Sequence, residues 1–477
     1  MEAGAPDTTT IEGNFIVFGS ATFLNNTYVP TAPQGTASTI AASTAFVHAN
    51  AVWTSVLAFL PAGQPDGVTD NTSGIATAVS TLCGFTAAGG HLYFPRGTYV
   101  ISGQILSRCG LIVSGDGMGV TTINYSGAGA GLEWQVTGFP AFPSTGHVQG
   151  GGLENLTMTR TDASASQAVT VEGFFNWRME NVVFNSPYNL FYSYGNEHIN
   201  ISKIYLNGGV NLDWVFYGDL AGETASGGSC STSNNDCSTR SDFIVISDVE
   251  NIDNTLTSTS WTFQGFVATI MMNHVANEGP LYPLSITCQT GLNANMAQCP
   301  QFFTFQDFQA EFFHKYPLIE DFLDFKCIQC YFYGDGTSTN ANTFVGNCTN
   351  YCGSTTPPGI VVIDDSRFFV AYNNNISLNG LYDIKINNSY IWGGNISNTS
   401  KSGIVICATG SCPTVHLTGN TFCTVDGYAG ANALNYGIVL NSGVKDAVVA
   451  NNTFRGCSNN YSSSVSGTLA SSNNIGP

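Results

Sequence analysis

The sequence predicts an all-β solenoid, a chain wound into flat coils, and three observations carry that reading. First, Gly89-Gly-His-Leu-Tyr-Phe-Pro-Arg-Gly-Thr-Tyr-Val-Ile-Ser102 and Leu111-Ile-Val-Ser-Gly-Asp-Gly-Met-Gly-Val-Thr-Thr-Ile123 set short alternating strands between tight Pro-Arg-Gly and Gly-Asp-Gly turns. No helical spacing separates them, as winding into coils requires. Second, similar units recur irregularly as far as about Gly456. Examples are Trp177-Arg-Met-Glu-Asn-Val-Val-Phe184, Leu381-Tyr-Asp-Ile-Lys-Ile-Asn-Asn-Ser-Tyr-Ile391 and Val444-Lys-Asp-Ala-Val-Val-Ala-Asn-Asn-Thr-Phe454. Each is an apolar alternation, then Asn, Asp or Ser, then a second short strand, at a spacing of roughly 20 to 30 residues. Third, charged residues make up only 9% of the 477 residues, while Gly contributes 53. No apolar run approaches the roughly 20 residues that span a bilayer. The surface is therefore dressed with Asn, Ser, Thr and Gly, which suits neutral hydrogen-bonding partners such as carbohydrate.

Taken in order, residues 1–60 read as an adaptor and linker. Short apolar runs (Phe15-Ile-Val-Phe18, Ala21-Thr-Phe-Leu24) precede a Pro/Gly/Thr stretch, and the span from Ala41 to Leu57 is Ala-rich enough for a helix. Pro65-Asp-Gly-Val-Thr-Asp-Asn-Thr72 reads as a loop, with Asp66 as a turn residue, and Ile75 to Cys83 as a short helix. A cap is needed here, because a first coil would otherwise expose a sheet edge and an apolar core. Residues 61–458 form the solenoid body, with Asn at turns able to adopt left-handed geometry and to ladder along the stack. Between about 220 and 300, Ser/Gly/Asn-rich loops interrupt the coils. Residues 459–477 are polar, a loose tail or a strand that joins another copy.

These motifs resemble known families. The Gly89–Ser102 opening, with Pro65–Thr72 and its capping helix, resembles the start of the pectate-lyase-like right-handed single-stranded parallel β-helix, many of whose members bind or cut polysaccharide. Pro33-Gln-Gly-Thr36 and Thr39-Ile-Ala-Ala-Ser-Thr-Ala-Phe-Val47 resemble a short motif of bacteriophage tail fibres and tailspikes, which lies between virion-attachment and receptor-binding parts. The tailspike resemblance implies a homotrimer that recognises a bacterial surface polysaccharide (capsule, exopolysaccharide or O-antigen). It implies attachment to a virion tail, or to another tail protein, through the N-terminal region, although that region is shorter than a full virion-binding domain.

Composition narrows the partners. Lys and Arg total 13 against 32 Asp and Glu, a formal charge of −19. Nucleic acid and anionic membrane surfaces are repelled by such a chain. The N-terminus has neither a basic nor an apolar leader segment, so no signal peptide is read there and synthesis in a host cytoplasm is expected. Of the 14 cysteines, Cys230/Cys237, Cys288/Cys299, Cys348/Cys352 and Cys407/Cys412 are spaced for loop-closing disulfides. Cys327, Cys330, Cys348 and Cys352 could be read as zinc thiolates. The first two, however, lie in an alternating run, where an offset of three puts them on opposite strand faces, so buried thiols or loop disulfides are preferred. No metal or cofactor is expected.

Glycoside hydrolysis needs two carboxyl groups about the bond, one of them protonated. Elimination needs a base and a cation beside a uronate carboxylate, and the thin scatter of Lys and Arg favours hydrolysis. The densest acidic stretch, from Phe305 to Asp324, supplies Asp307, Glu311, Glu320 and Asp321 as candidate catalytic residues, with His314 and Tyr316 as sugar contacts. On a strand Asp307 and Glu311 share a face, and a tight turn would return Glu320 and Asp321 beside them. Neighbouring Phe residues would partly desolvate the acids and raise one pKa. A reserve pair, Asp213 and Asp219, lies near Tyr192, Tyr194, Trp214 and Tyr217, where aromatics beside acids suit sugar stacking. The plainer alternative is that the acids are solvated turn residues and the aromatics are core. Asp364 and Asp365 read as a β-turn or a surface pair. A non-enzymatic glycan-binding adhesin is the rival function from another class.

Overall fold

The computed structural model describes residues 53–476 apart from 86–88, 130, 138–146, 164–166, 219–240, 253–258, 289–298, 338–341, 349–358, 394–400 and 423–433. The tail-fibre-like motif and most of the expected Ala41–Leu57 helix lie outside these residues. Within the remainder of that helix, Val56–Phe59 is a single 3₁₀ turn.

From Trp53 onward the chain is a right-handed parallel β-helix. Its strands form a 24-stranded sheet and a 13-stranded sheet, paired in parallel from coil to coil. Thr72–Phe85 is the capping helix, joined to the first coils by the disulfide Cys83–Cys109, a pair that sequence spacing did not suggest. At the other end, residues read as a polar tail build a further coil. Asn459–Ser463 pairs with Tyr436–Leu440, and Leu469–Ser472 pairs with Val444–Ala450.

In successive coils the larger sheet turns a corner through a residue with positive φ. In register these residues stack into a column that runs through Asn181, Lys203, Asp248, His274, Asp307 and Gln329 to Asp365 and Asn388. Such a residue shifts the phase of side-chain alternation, so positions three apart both point inward across it. Phe305 and Phe308 are both fully buried on either side of Asp307. The same phase shift at Gln329 corrects the expectation for Cys327 and Cys330. They do not fall on opposite faces; both are buried and joined to each other by a disulfide, which removes them as metal thiolates. Cys288–Cys299 and Cys407–Cys412 are also disulfides, while Cys230, Cys237 and Cys352 lie outside the described residues.

Phe, Trp, Ile and Leu fill the interior, and polar ladders cross it. Ser366 accepts from the Cys330 N–H, Ser389 from the Ser366 N–H and Asn420 from the Ser389 N–H. Asn452 and Asn474 continue the column, each carboxamide oxygen accepting from the backbone N–H and side-chain amide one coil earlier. Each Asn thus satisfies a buried corner N–H that the sheet hydrogen bonds leave unmatched.

Candidate functional site

The strand Gln301–Phe313 bends at Asp307, which has φ of 50°. Beyond the bend, alternation turns Gln309 and Glu311 outward and Phe308 and Ala310 inward. The following coils bring Gln329 and Tyr331, then Asp365 and Arg367, into register beside them. Together these side chains line a groove of about 580 Å³.

Two of the acids in the groove are set up differently. Glu311 is half-buried, and burial first, then the charge of Glu278 in register on the preceding strand, raises its pKa above the usual carboxylate value. Both effects disfavour a second negative charge at that point. Asp307 accepts a hydrogen bond from Gln309 Nε2 at 3.1 Å and lies 3.1 Å from His274 Nε2. His274 Nδ1 is 3.5 Å from Asp248 in turn, so the imidazole bridges two carboxylates along the corner column. Asp365 accepts from Gln329 Nε2 at 3.4 Å.

The structure separates the remaining expected site residues from this pair. Glu320 and Asp321 do not fold back beside Asp307. The chain instead crosses to the other sheet, where Leu318–Glu320 pairs with Tyr282–Thr287 and Phe344–Asn347, and Asp321 is buried. A third strand is needed to close each coil, so the segment after Phe313 is used for that closure. His314 lies in the turn, where its Nδ1 bonds Asp335; Tyr316 is in the same turn. Trp214, expected to meet sugar, is fully buried and stacked on Trp261, with ring centroids 4.9 Å apart, because alternation in Leu212–Gly218 points it inward. Asp213 is buried beside it, and Asp219 lies outside the described residues. Tyr192, Tyr194 and Tyr217 face outward on the 13-stranded sheet, the last two with ring centroids 4.8 Å apart, away from the Asp307–Glu311 groove.

Sequence reasoning missed Asp365, Arg367, His274 and Glu278. A signal for the first two was present. Ile363-Asp-Asp-Ser-Arg367 repeats the frame of Ile386-Asn-Asn-Ser-Tyr390, in which the corner residue is followed, two positions on, by an outward side chain.

Burial also raises the pKa of Glu133, Glu172, Glu320 and Asp324. A carboxyl of this kind binds its proton more tightly folded than unfolded. Its contribution to stability is complete below the unfolded pKa and is lost as pH rises through the folded one. Asp66 acts in the opposite sense, lowered by hydrogen bonds from the Thr69 hydroxyl and the Thr69 and Val68 N–H groups. It loses its contribution only as pH falls below about 4. These carboxyls should therefore raise the melting temperature as pH is lowered towards about 5, while His91, whose pKa burial lowers, works against them as pH falls through about 6.5. In His91→Gln the rise should stand clear, and a flat or falling melting curve in that variant contradicts this assignment.

Comparison with known proteins bears on the fold. A family model described as rhamnogalacturonase A/epimerase, pectate lyase-like, matches residues 62–279. None of the curated proteins matches the chain. Among solved structures, the A-module of mannuronan C-5 epimerase AlgE6 from Azotobacter vinelandii aligns with a TM-score of 0.52 at 14% identity, covering 89% of this chain and 99% of that one. The AlgE4 A-module of the same organism gives 0.49 at 14% identity, covering 88% and 100%. The pre-mature gene product 12 of bacteriophage phi29 gives 0.49 at 12% identity, covering 89% of this chain and 52% of that one. Likeness at such identity is likeness of fold, and in fold this chain is a pectate-lyase-like parallel β-helix.

Proposed function

We propose that this chain is a tailspike-type depolymerase, a homotrimer on a phage tail that binds a bacterial surface polysaccharide and hydrolyses it. The observation that carries the chemistry is the contrast between two carboxyls in one groove. Glu311, half-buried and beside Glu278, keeps its proton to higher pH and serves as general acid. Asp307, oriented by Gln309 and His274, serves as the second carboxylate. Three residues separate them, and the bend at Asp307 leaves both on the groove side. The phage assignment rests on the Pro33–Val47 resemblance, and the polysaccharide assignment on the groove together with the pectate-lyase-like match.

A second reading, β-elimination of a uronate, is favoured by Arg367 and Tyr331 in the same groove, a cation and a phenol of the kind that chemistry uses. One assay separates the readings. The protein is incubated with purified capsule, exopolysaccharide and O-antigen of its host. New reducing ends without ultraviolet absorbance from an unsaturated uronate are expected. Both signals together mean elimination; binding with neither means an adhesin.

A further inference from the structure

The two outward columns that line the groove do not stop there. Gln309 is followed in register by Tyr331, Arg367 and Tyr390, and Glu311 by Tyr333, Phe369 and Trp392. Their rings form a connected surface. Ring centroids are 5.4 Å apart for Tyr331 and Phe369, 5.2 Å for Phe369 and Trp392, and 6.3 Å for the nearly parallel Tyr331 and Tyr333. Phe312 extends it at 5.0 Å from Tyr333 and is itself 44% exposed. Two coils beyond Trp392 the Glu311 column reaches Arg455. There Tyr390, Trp392, Thr421, Thr453 and Arg455 line a second pocket of about 440 Å³. At about 4.8 Å per coil, the path from Glu311 to Arg455 is about 24 Å long.

Aromatic side chains normally turn inward in this fold, as the buried Phe and Trp of the core do. A run of them on the outside of consecutive coils exposes apolar surface with no folding benefit. Its flat ring faces match the apolar faces of sugar rings. Two cations stand on the same path. The chain holds only 13 Lys and Arg, yet Arg367 and Arg455 both stand exposed on this strip. Neither is among the ion pairs found between described residues; the same holds for exposed Arg96, Lys326 and Lys445, so what sets these two apart is their place on the aromatic strip. They lie three coils apart, about 14 Å. An exposed guanidinium is suited to a planar anion, which it can bind in bidentate fashion.

We propose that this strip is the binding track of an anionic polysaccharide lying along the solenoid axis. The rings of Tyr331, Tyr333, Phe369 and Trp392 carry its sugars, and Arg367 and Arg455 take its acidic substituents. Glu311 and Asp307 sit at one end of the track, and Asp365 stands beside Arg367 in the same groove, so an acidic substituent is held by the guanidinium against that carboxylate. Only the position of cleavage along the bound polymer rests on the function proposed above.

The test is direct binding to polygalacturonate, polymannuronate, hyaluronate and neutral dextran, followed by calorimetry and by Trp392 fluorescence. At least one polyanion should bind, more weakly by about tenfold between about 20 and 200 mM salt, and dextran should not. The Arg367→Gln/Arg455→Gln double variant, with an unchanged melting temperature, should weaken polyanion binding at least about tenfold. Trp392→Phe should remove the fluorescence response and weaken calorimetric binding by less than the double arginine variant does. Failure of every polyanion at low salt, equal binding of dextran, or full affinity in the double arginine variant overturns the track. Binding without new reducing ends keeps the track and removes the hydrolase. Cleavage of a neutral host glycan without polyanion binding does the reverse.

Discussion

Glu311→Gln is expected to lower the rate of polysaccharide cleavage by about 10²–10⁴-fold, the usual worth of a positioned general acid. The substitution keeps the size and hydrogen-bonding reach of the side chain and removes only its ability to hold and release a proton. Binding affinity and melting behaviour should stay close to those of the unaltered chain. The pH profile provides the sharper check. In the unaltered protein, activity falls as pH rises through the raised pKa of Glu311, because the acid must be protonated to donate. That basic limb should vanish in Glu311→Gln. In Glu278→Gln it should move to lower pH, since removing the neighbouring negative charge makes Glu311 easier to ionise. An unchanged rate in Glu311→Gln, or a basic limb that stays in place in Glu278→Gln, removes Glu311 from the acid role.

Trp261→Ala is expected to cost about 3–5 kcal/mol, the largest single loss of stability anticipated in the described core. Trp261 is fully buried and stacked on Trp214 at an interplanar angle of 9°. Its Nε1 donates to Asn277 Oδ1 at 2.7 Å, Asn251 Nδ2 donates to the same oxygen at 2.6 Å, and Trp214 Nε1 donates to Asn251 Oδ1 at 3.2 Å. Truncation removes the ring from the stack and one donor from this network together. Trp261→Phe keeps much of the apolar volume and loses the N–H, so a cost of about 1–3 kcal/mol is expected. A solenoid can open locally, so the measurement is amide exchange in the strands Ser241–Ile252, Thr259–Gly265 and Val267–Glu278, alongside denaturant unfolding. Equal protection in Trp261→Ala and the unaltered chain contradicts a structural role for this network.

The solenoid was legible because its causes are local. Period-two alternation, Asn and Gly at turns, and the absence of helical spacing between strands require no knowledge of distant contacts. The capping helix is of the same kind, announced by Pro65–Thr72 and the apolar spacing after it. The acidic stretch from Phe305 was legible as a place where carboxyls gather. Which of those carboxyls meet was not. Alternation alone puts Asp307 and Glu311 on one side of a strand, and they do line one groove. The same reasoning misplaced Glu320, because nothing nearby in sequence states that the chain crosses to the second sheet after Phe313.

By itself, then, the sequence determined that this protein is a capped stack of parallel coils, poor in charge, acidic and polar-surfaced. The tertiary structure decided which side chains share a face. One left-handed residue per corner shifts the alternation, so Cys327 and Cys330 converge to a bond while Gln329 between them turns out to the groove. Coil-to-coil register then sets Glu278 beside Glu311 and lines up Tyr331, Arg367 and Tyr390 across long stretches of intervening chain. Alternation is a property of neighbours in the chain. Proximity across coils depends on how much chain each loop consumes before the next strand begins, and only the folded stack fixes that.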